Sequence, residues 1–161
     1  MAIHKLFEND FEEDTYTLIA IHCSTEDYRL AYLLNNDLNL KLARKHKDLD
    51  YNYMEASFSI YEWDDKKNFV TWNLVSNTSK KEVDQIASAG SLFSNQQGKR
   101  TISKHLIPER KKVDYFIKIS SESYIKSPKI ILSKINAIPE VITAYILDAK
   151  QLKSKNNLIF E

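Results

Sequence analysis

Two carboxylates, Glu109 and Asp114, flank the basic triplet Arg110-Lys111-Lys112 in the middle of the chain. Acids and bases interleaved at a loop can grip a charged partner through ion-assisted hydrogen bonds. A carboxyl could also act as a general acid, but no second participant stands at a suitable spacing. A further basic run, Arg44-Lys45-His46-Lys47, and the dipeptide Lys99-Arg100 complete the positive clusters. The candidate binding residues are therefore Glu109, Arg110, Lys111, Lys112, Asp114, Arg44, Lys45 and Lys47.

The remaining reactive residue types form no catalytic or metal pattern. His4, His22, His46 and His105 make no helical pair at ligand spacing, and no Cys-x-x-Cys exists. His22 and Cys23 are neighbours on a strand and point to opposite faces. Cys23 reads as a buried, inert thiol. Gly98-Lys99-Arg100-Thr101 has the look of a phosphate loop, yet Gly90 is too far upstream for the required spacing. Asp64-Asp65 reads as a solvated turn. No catalytic residue, metal or cofactor is expected.

These residues must be held by something, and the composition bounds what. A chain of 161 residues, 43% hydrophobic and 28% charged, suits one domain with a substantial core. The formal charge of +1 gives no overall field toward nucleic acid or an anionic membrane. One cysteine excludes an internal disulfide and fits a reducing compartment. No apolar run reaches the ~18 residues of a membrane helix, and no leader pattern opens the chain. A cytoplasmic protein is expected. With only two glycines, turns at positive φ fall to Asn and Asp.

The periodicity places the elements. Residues 16–24 read as a central strand, apolar on both faces. Leu30, Ala31, Leu34 and Leu38 form a helical stripe that Asn35-Asn36 would end. Leu38, Leu40 and Leu42 alternate as a short strand. Residues 56–63 and 69–76 form a hairpin about Asp64–Asn68, with Phe58 and Ile60 on one face and Tyr61 and Trp63 on the other. Residues 77–101 are expected as a mobile loop with a short helix near Lys81 to Ala87.

Beyond that loop, Ile102 to Ile107 and Val113 to Ser120 suggest a strand pair across a Pro108 turn, with Val113, Tyr115, Ile117 and Ile119 on one face. Ser127-Pro128 starts a second helix, with Ile131, Leu132, Ile135 and Ile138 buried and Pro139 as its stop. Val141 to Asp148 is a last strand. The expected fold is a single α+β domain over 1–161: a mainly antiparallel sheet of about six to seven strands with two principal helices on one face. An N-terminal arm (1–14) and a C-terminal tail (149–161) flank it, and Leu158-Ile159-Phe160 either docks on the sheet or enters a partner.

The run Ile107-Pro108-Glu109-x-x-x-Val113-Asp114-Tyr115 resembles the signature of the IPExxxVDY family of uncharacterised Bacteroidota proteins. The likeness extends to residues 18–24 and 28–35, to Trp72–Asn77, and to the tail Leu152–Phe160. It implies a short, single-domain, cytoplasmic protein and carries no established activity. The passage Ile135-x-x-Ile138-Pro139-x-Val141 is also similar to the helix-to-strand step of ACT-type regulatory domains.

Good fold signals without a reactive constellation point to a non-catalytic binding or adaptor module for a protein partner. The alternatives are an RNA-associated factor, accessory to a ribonuclease or the ribosome, and a small-ligand regulatory domain. Under the RNA reading, Tyr61, Trp63, Trp72 and Phe116 would stack on bases between the basic clusters. No DNA or membrane contact is expected, and the oligomeric state is open.

Overall fold

A computed structural model describes residues 16–84, 98–122 and 127–160. The described residues form ten strands, two α-helices and three short 3-10 turns. The strands are β1 (Tyr16–His22), β2 (Ala43–Arg44), β3 (Leu49–Tyr51), β4 (Ala56–Phe58), β5 (Ile60–Asp65), β6 (Val70–Ser76), β7 (Thr78–Asp84), β8 (Lys99–His105), β9 (Tyr115–Ser121) and β10 (Thr143–Leu147). Six of them form one antiparallel sheet in the order β10-β1-β9-β6-β5-β2. Two smaller sheets pair β3 with β4 and β7 with β8. The fold is α+β.

Helices α1 (Asp27–Leu38) and α2 (Pro128–Asn136) lie together on one face of the large sheet. Leu30, Ala31 and Leu34 of α1 and Ile135 of α2 meet Ile19, Ile21, Leu74, Ile117 and Ile119 there. Asp27 in the first turn complements the positive end of the α1 dipole, and Pro128 opens α2 with its φ already set. Both helices end on the same device. The Asn35 carboxamide exchanges two hydrogen bonds with the backbone of Leu42, at 3.0 and 2.8 Å. Asn136 does the same with Ala144, at 2.9 and 2.8 Å. Each amide replaces the missing strand neighbour of the returning chain. On β10, an edge strand, Asn136 thereby covers backbone groups that would otherwise invite another strand.

The opposite face of the sheet carries a second core, over which no α-helix lies among the described residues. Leu18, Ala20, Ile60, Val75 and Phe116 are covered by Ala56 and Phe58 of β4, by Leu106, Ile107 and Val113, and by Leu147, Ala149, Leu152 and Leu158. Burial from both sides accounts for the apolar character of both faces of β1.

Several local expectations change. Helix α1 runs on to Leu38, and the left-handed cap is Asn39 (φ 57°), because Asn35 is engaged with Leu42. The predicted strand over Leu38–Leu42 is therefore absent; Leu40 and Leu42 are buried in a connection and pairing begins at Ala43. The first hairpin strand breaks at Ser59, which lets β4 leave the main sheet and pair with β3. In place of a mobile loop and a helix near Lys81, residues 78–84 and 99–105 form an antiparallel ribbon; residues 85–97 of that expectation lie outside the described ones. Strand β8 pairs with β7 and not with β9, which sits between β1 and β6. Val113 precedes β9 and enters the second core, while Tyr115, Ile117 and Ile119 enter the first.

Candidate functional site

The segment from Ile107 to Tyr115 is an internal staple. Ile107 is fully buried, and Pro108–Arg110 form one 3-10 turn. Val113 fills the second core behind it. The two carboxylates that packing alone leaves unexplained each hold another stretch of backbone. Asp114 Oδ2 accepts from the Cys23 N–H at 2.9 Å, which fixes the turn from β1 into α1. The Tyr115 hydroxyl reinforces that turn by donating to the Thr25 carbonyl at 2.6 Å. Burial pushes the Tyr115 phenol well up, and the nearby Asp27, Cys23, Asp114 and Glu26 add to the shift.

Glu109 reaches the other way, to the tail. Its carboxylate accepts from the Ser154 N–H at 2.8 Å and the Ser154 hydroxyl at 3.0 Å. Slight burial alone would raise this carboxyl. The hydrogen bonds from the backbone N–H and the hydroxyl of Ser154, from its own backbone and from the Lys153 backbone outweigh it and hold the group below its ordinary range.

Asn77 is the hub, although no chemical pattern in the sequence singles it out. It is fully buried between β6 and β7. Its Nδ2 donates to the carbonyls of Arg110 (2.9 Å) and Val113 (2.8 Å), and its Oδ1 accepts from Ile107 N–H (2.9 Å). Its own backbone bonds to Asp114 and Leu106. Every polar atom of the side chain is used, as burial requires.

The tail docks on the chain's own second core. Leu158 is 0% exposed. Asn157 Nδ2 donates to the Leu106 carbonyl at 2.8 Å, and the Tyr51 hydroxyl donates to the Asn157 carbonyl at 2.7 Å. The Tyr53 hydroxyl bonds Asn157 Oδ1. Lys118 donates to the Leu158 carbonyl at 2.7 Å and lies 4.7 Å from the Tyr16 ring and 5.0 Å from the Phe160 ring, a cation held between two aromatic faces.

Docked in this way, the tail builds one wall of a cleft of about 910 Å³. The residues from Lys45 to Tyr51 form the other wall, Ile60 forms the floor, and Asn156 and Ile159 close the tail side. Ile159 remains 61% exposed although its neighbour Leu158 is sealed. The charges at the rim divide in two. Arg44 is internal scaffolding: its guanidinium donates to the carbonyls of Lys45 and Ile60, pairs with Asp48 and lies 5.7 Å from the Tyr61 ring. Lys45 pairs with Glu62 at 3.3 Å, and Asp50 accepts from Ser57 at 2.6 Å. Among the described residues Lys47 and His46 have no such partner, and both are exposed. The opening thus offers aliphatic side chains beside the unpaired Lys47 and an Asp50 carboxylate held, among the described residues, only by the Ser57 hydroxyl.

The sequence-derived candidates therefore separate into three groups. Glu109 and Asp114 are structural ties, and Arg44 and Lys45 are paired. Arg110, at the end of the 3-10 turn, and Lys111 and Lys112 just beyond it are exposed and lie outside this cleft. Only Lys47 both lines the cleft and is open to a partner. Ser154, Asn156, Asn157 and Tyr51 match no chemical pattern in the sequence, and Ile159 stands out there only within the apolar end Leu158-Ile159-Phe160.

A second cleft of about 600 Å³ holds Cys23, Glu26, Asp27, Lys80 and Asp114. Its Cys23 thiol donates to the Glu140 carbonyl at 3.2 Å, and no histidine is among the described residues that line it. His22 faces the Tyr145 hydroxyl at 3.1 Å, and His105 faces Thr78. The base-stacking expectation also changes, because Tyr61 and Trp72 lie in the first core with Trp63 packed against it, and Phe116 lies in the second core. Among the described residues no His, Cys, Asp and Glu group could hold a metal, and no helix is long and apolar enough to cross a membrane. No family model, curated protein or solved structure matches the chain.

Proposed function

We propose that the protein is a non-catalytic binding module, a member of the family its signature resembles, acting in the cytoplasm on a protein partner. The partner enters the cleft between the Lys45–Tyr51 segment and the docked tail. One observation carries this reading: exposed Ile159 and the aliphatic lining stand beside the exposed Lys47, whose charge no described residue pairs. Such a surface fits an extended segment that alternates acidic and apolar side chains, the apolar ones supplying area and the acidic ones orientation. The buried thiol Cys23 fits a reducing compartment.

The test is selection of binders from a random peptide library, followed by amide chemical-shift mapping on the labelled protein. Acidic–apolar sequences that perturb Lys47, Leu49 and Ile159 would support the reading. Binders that map elsewhere, or no binders at all, would sink it.

A further inference from the structure

The ribbon of β7 and β8 gives no residue to either core, and its strands are exposed along nearly their whole length although β7 runs beside β4. An isolated two-stranded ribbon has no hydrophobic core of its own. This one is held by its root: Asn77 accepts from the Leu106 and Ile107 backbones where the two strands enter the domain, and Ser79 Oγ accepts from the Ser57 N–H at 3.3 Å.

Its register sorts its charges. Directly opposed residues of an antiparallel pair share a face. One face therefore carries Ser79 with Lys104, Lys81 with Ile102, and Val83 with Arg100. The other carries Thr78 with His105, Lys80 with Ser103, Glu82 with Thr101, and Asp84 with Lys99. The second face is internally balanced, and Lys99 pairs with Glu82 at 3.5 Å. The first has three cations, no carboxylate, and two half-exposed aliphatics, Val83 (38%) and Ile102 (37%). All the net positive charge of the ribbon lies on one side.

Along that side the cations alternate between strands: Lys104 on β8, Lys81 on β7, Arg100 on β8. Successive rows are about 6.7 Å apart, twice the rise per strand residue. That is close to the spacing of successive phosphates along an extended nucleic-acid strand. The face has no aromatic for base stacking and no Asn or Gln for reading base edges. Its chemistry is backbone contact, with Ile102 and Val83 as apolar rests for unpaired bases. Chains that stay unpaired in loops and ends are typically RNA.

We propose that the Lys81–Arg100–Lys104 face of the ribbon binds single-stranded RNA through its phosphates, without sequence preference. This is independent of the cleft and uses different residues.

The test is fluorescence anisotropy of the full chain with an oligouridine of about 20 nucleotides, titrated across salt. Three phosphate contacts predict a slope of about −2 in log affinity against log salt. The double variant Lys81→Glu, Arg100→Glu should weaken binding about tenfold or more. The matched double variant Lys80→Glu, Lys99→Glu on the opposite face, with the same change in net charge, should stay within about twofold. Charge-neutralising Lys81→Gln, Arg100→Gln keeps the test valid should the Glu variant misfold. Equal losses from both faces would show a diffuse charge effect and overturn the site. Absence of binding at low salt, an equally tight grip on polyglutamate, or equal affinity for oligothymidine would each overturn the RNA assignment.

Discussion

The carboxylate of Glu109 holds Ser154 by both its backbone N–H and its hydroxyl, joining residues 45 positions apart in the chain. Two residues beyond Ser154 the tail begins to wall the cleft, with Asn156 and then Ile159. The signature segment therefore acts on the cleft through the tail. Glu109 is a positioning residue, and its substitution should loosen a wall that it does not itself line.

That link has a pH signature. The folded-state carboxyl of Glu109 is held below its ordinary value, so its contribution is fully present above the unfolded pKa and is lost as pH falls through the folded one. Amide hydrogen exchange should show residues 152–160 losing protection as pH falls below the ordinary range of a Glu carboxyl. In Glu109→Gln the same amides should be less protected at neutral pH, and this acid-dependent step should disappear. Equal pH dependence in both proteins would contradict the link.

Removing the Asn77 side chain strands two buried backbone groups at once, the Val113 carbonyl and the Ile107 N–H, and takes one of two donors from the Arg110 carbonyl. Asn77→Ala should cost on the order of 3 kcal/mol in urea unfolding, more than most single hydrogen-bonding substitutions. Asn77→Asp should do no better, since a carboxylate would face the Arg110 and Val113 carbonyls. A loss under about 1 kcal/mol would show that water can replace the carboxamide.

The paired asparagines make a different prediction. Asn35→Ala and Asn136→Ala should each destabilise by about 1–2 kcal/mol, through the lost double hydrogen bond. Only Asn136→Ala uncovers backbone of the edge strand β10, so only that variant should show concentration-dependent association by sedimentation. Association of both, or of neither, would count against the edge-covering role.

Much of the fold was legible. Period-two alternation located β1, β5, β6, β9 and β10, because strands with one side on each core must alternate or be apolar throughout. The stripe Ile131, Leu132, Ile135, Ile138 located α2 for the same kind of reason. What the sequence concealed was partnership. Nothing local in Lys99–His105 says that it pairs with a polar stretch some twenty residues earlier, since neither strand has a buried face to betray its period. Val113 looked like part of the β9 alternation because periodicity cannot see the chain cross between two cores at Asp114. The site was less legible still. Glu109 and Asp114 were visible as unexplained charges, but their partners Ser154 and Cys23 offer donors from the backbone, which no residue pattern records. The cleft depends on Ile159 lying exposed beside a buried Leu158, a distinction made only by docking.

The most direct test of the cleft is calorimetric titration of a selected acidic–apolar peptide into three proteins: wild type, Ile159→Asp, and the triple variant Arg110→Ala, Lys111→Ala, Lys112→Ala. Ile159→Asp places a charge on an already exposed position, so folding should survive while affinity falls by about tenfold or more, the equivalent of at least 1.4 kcal/mol. The triple variant should bind within about twofold of wild type, because those exposed cations lie outside the cleft. Unchanged affinity in Ile159→Asp with loss in the triple variant would move the binding surface to the signature turn and contradict the account.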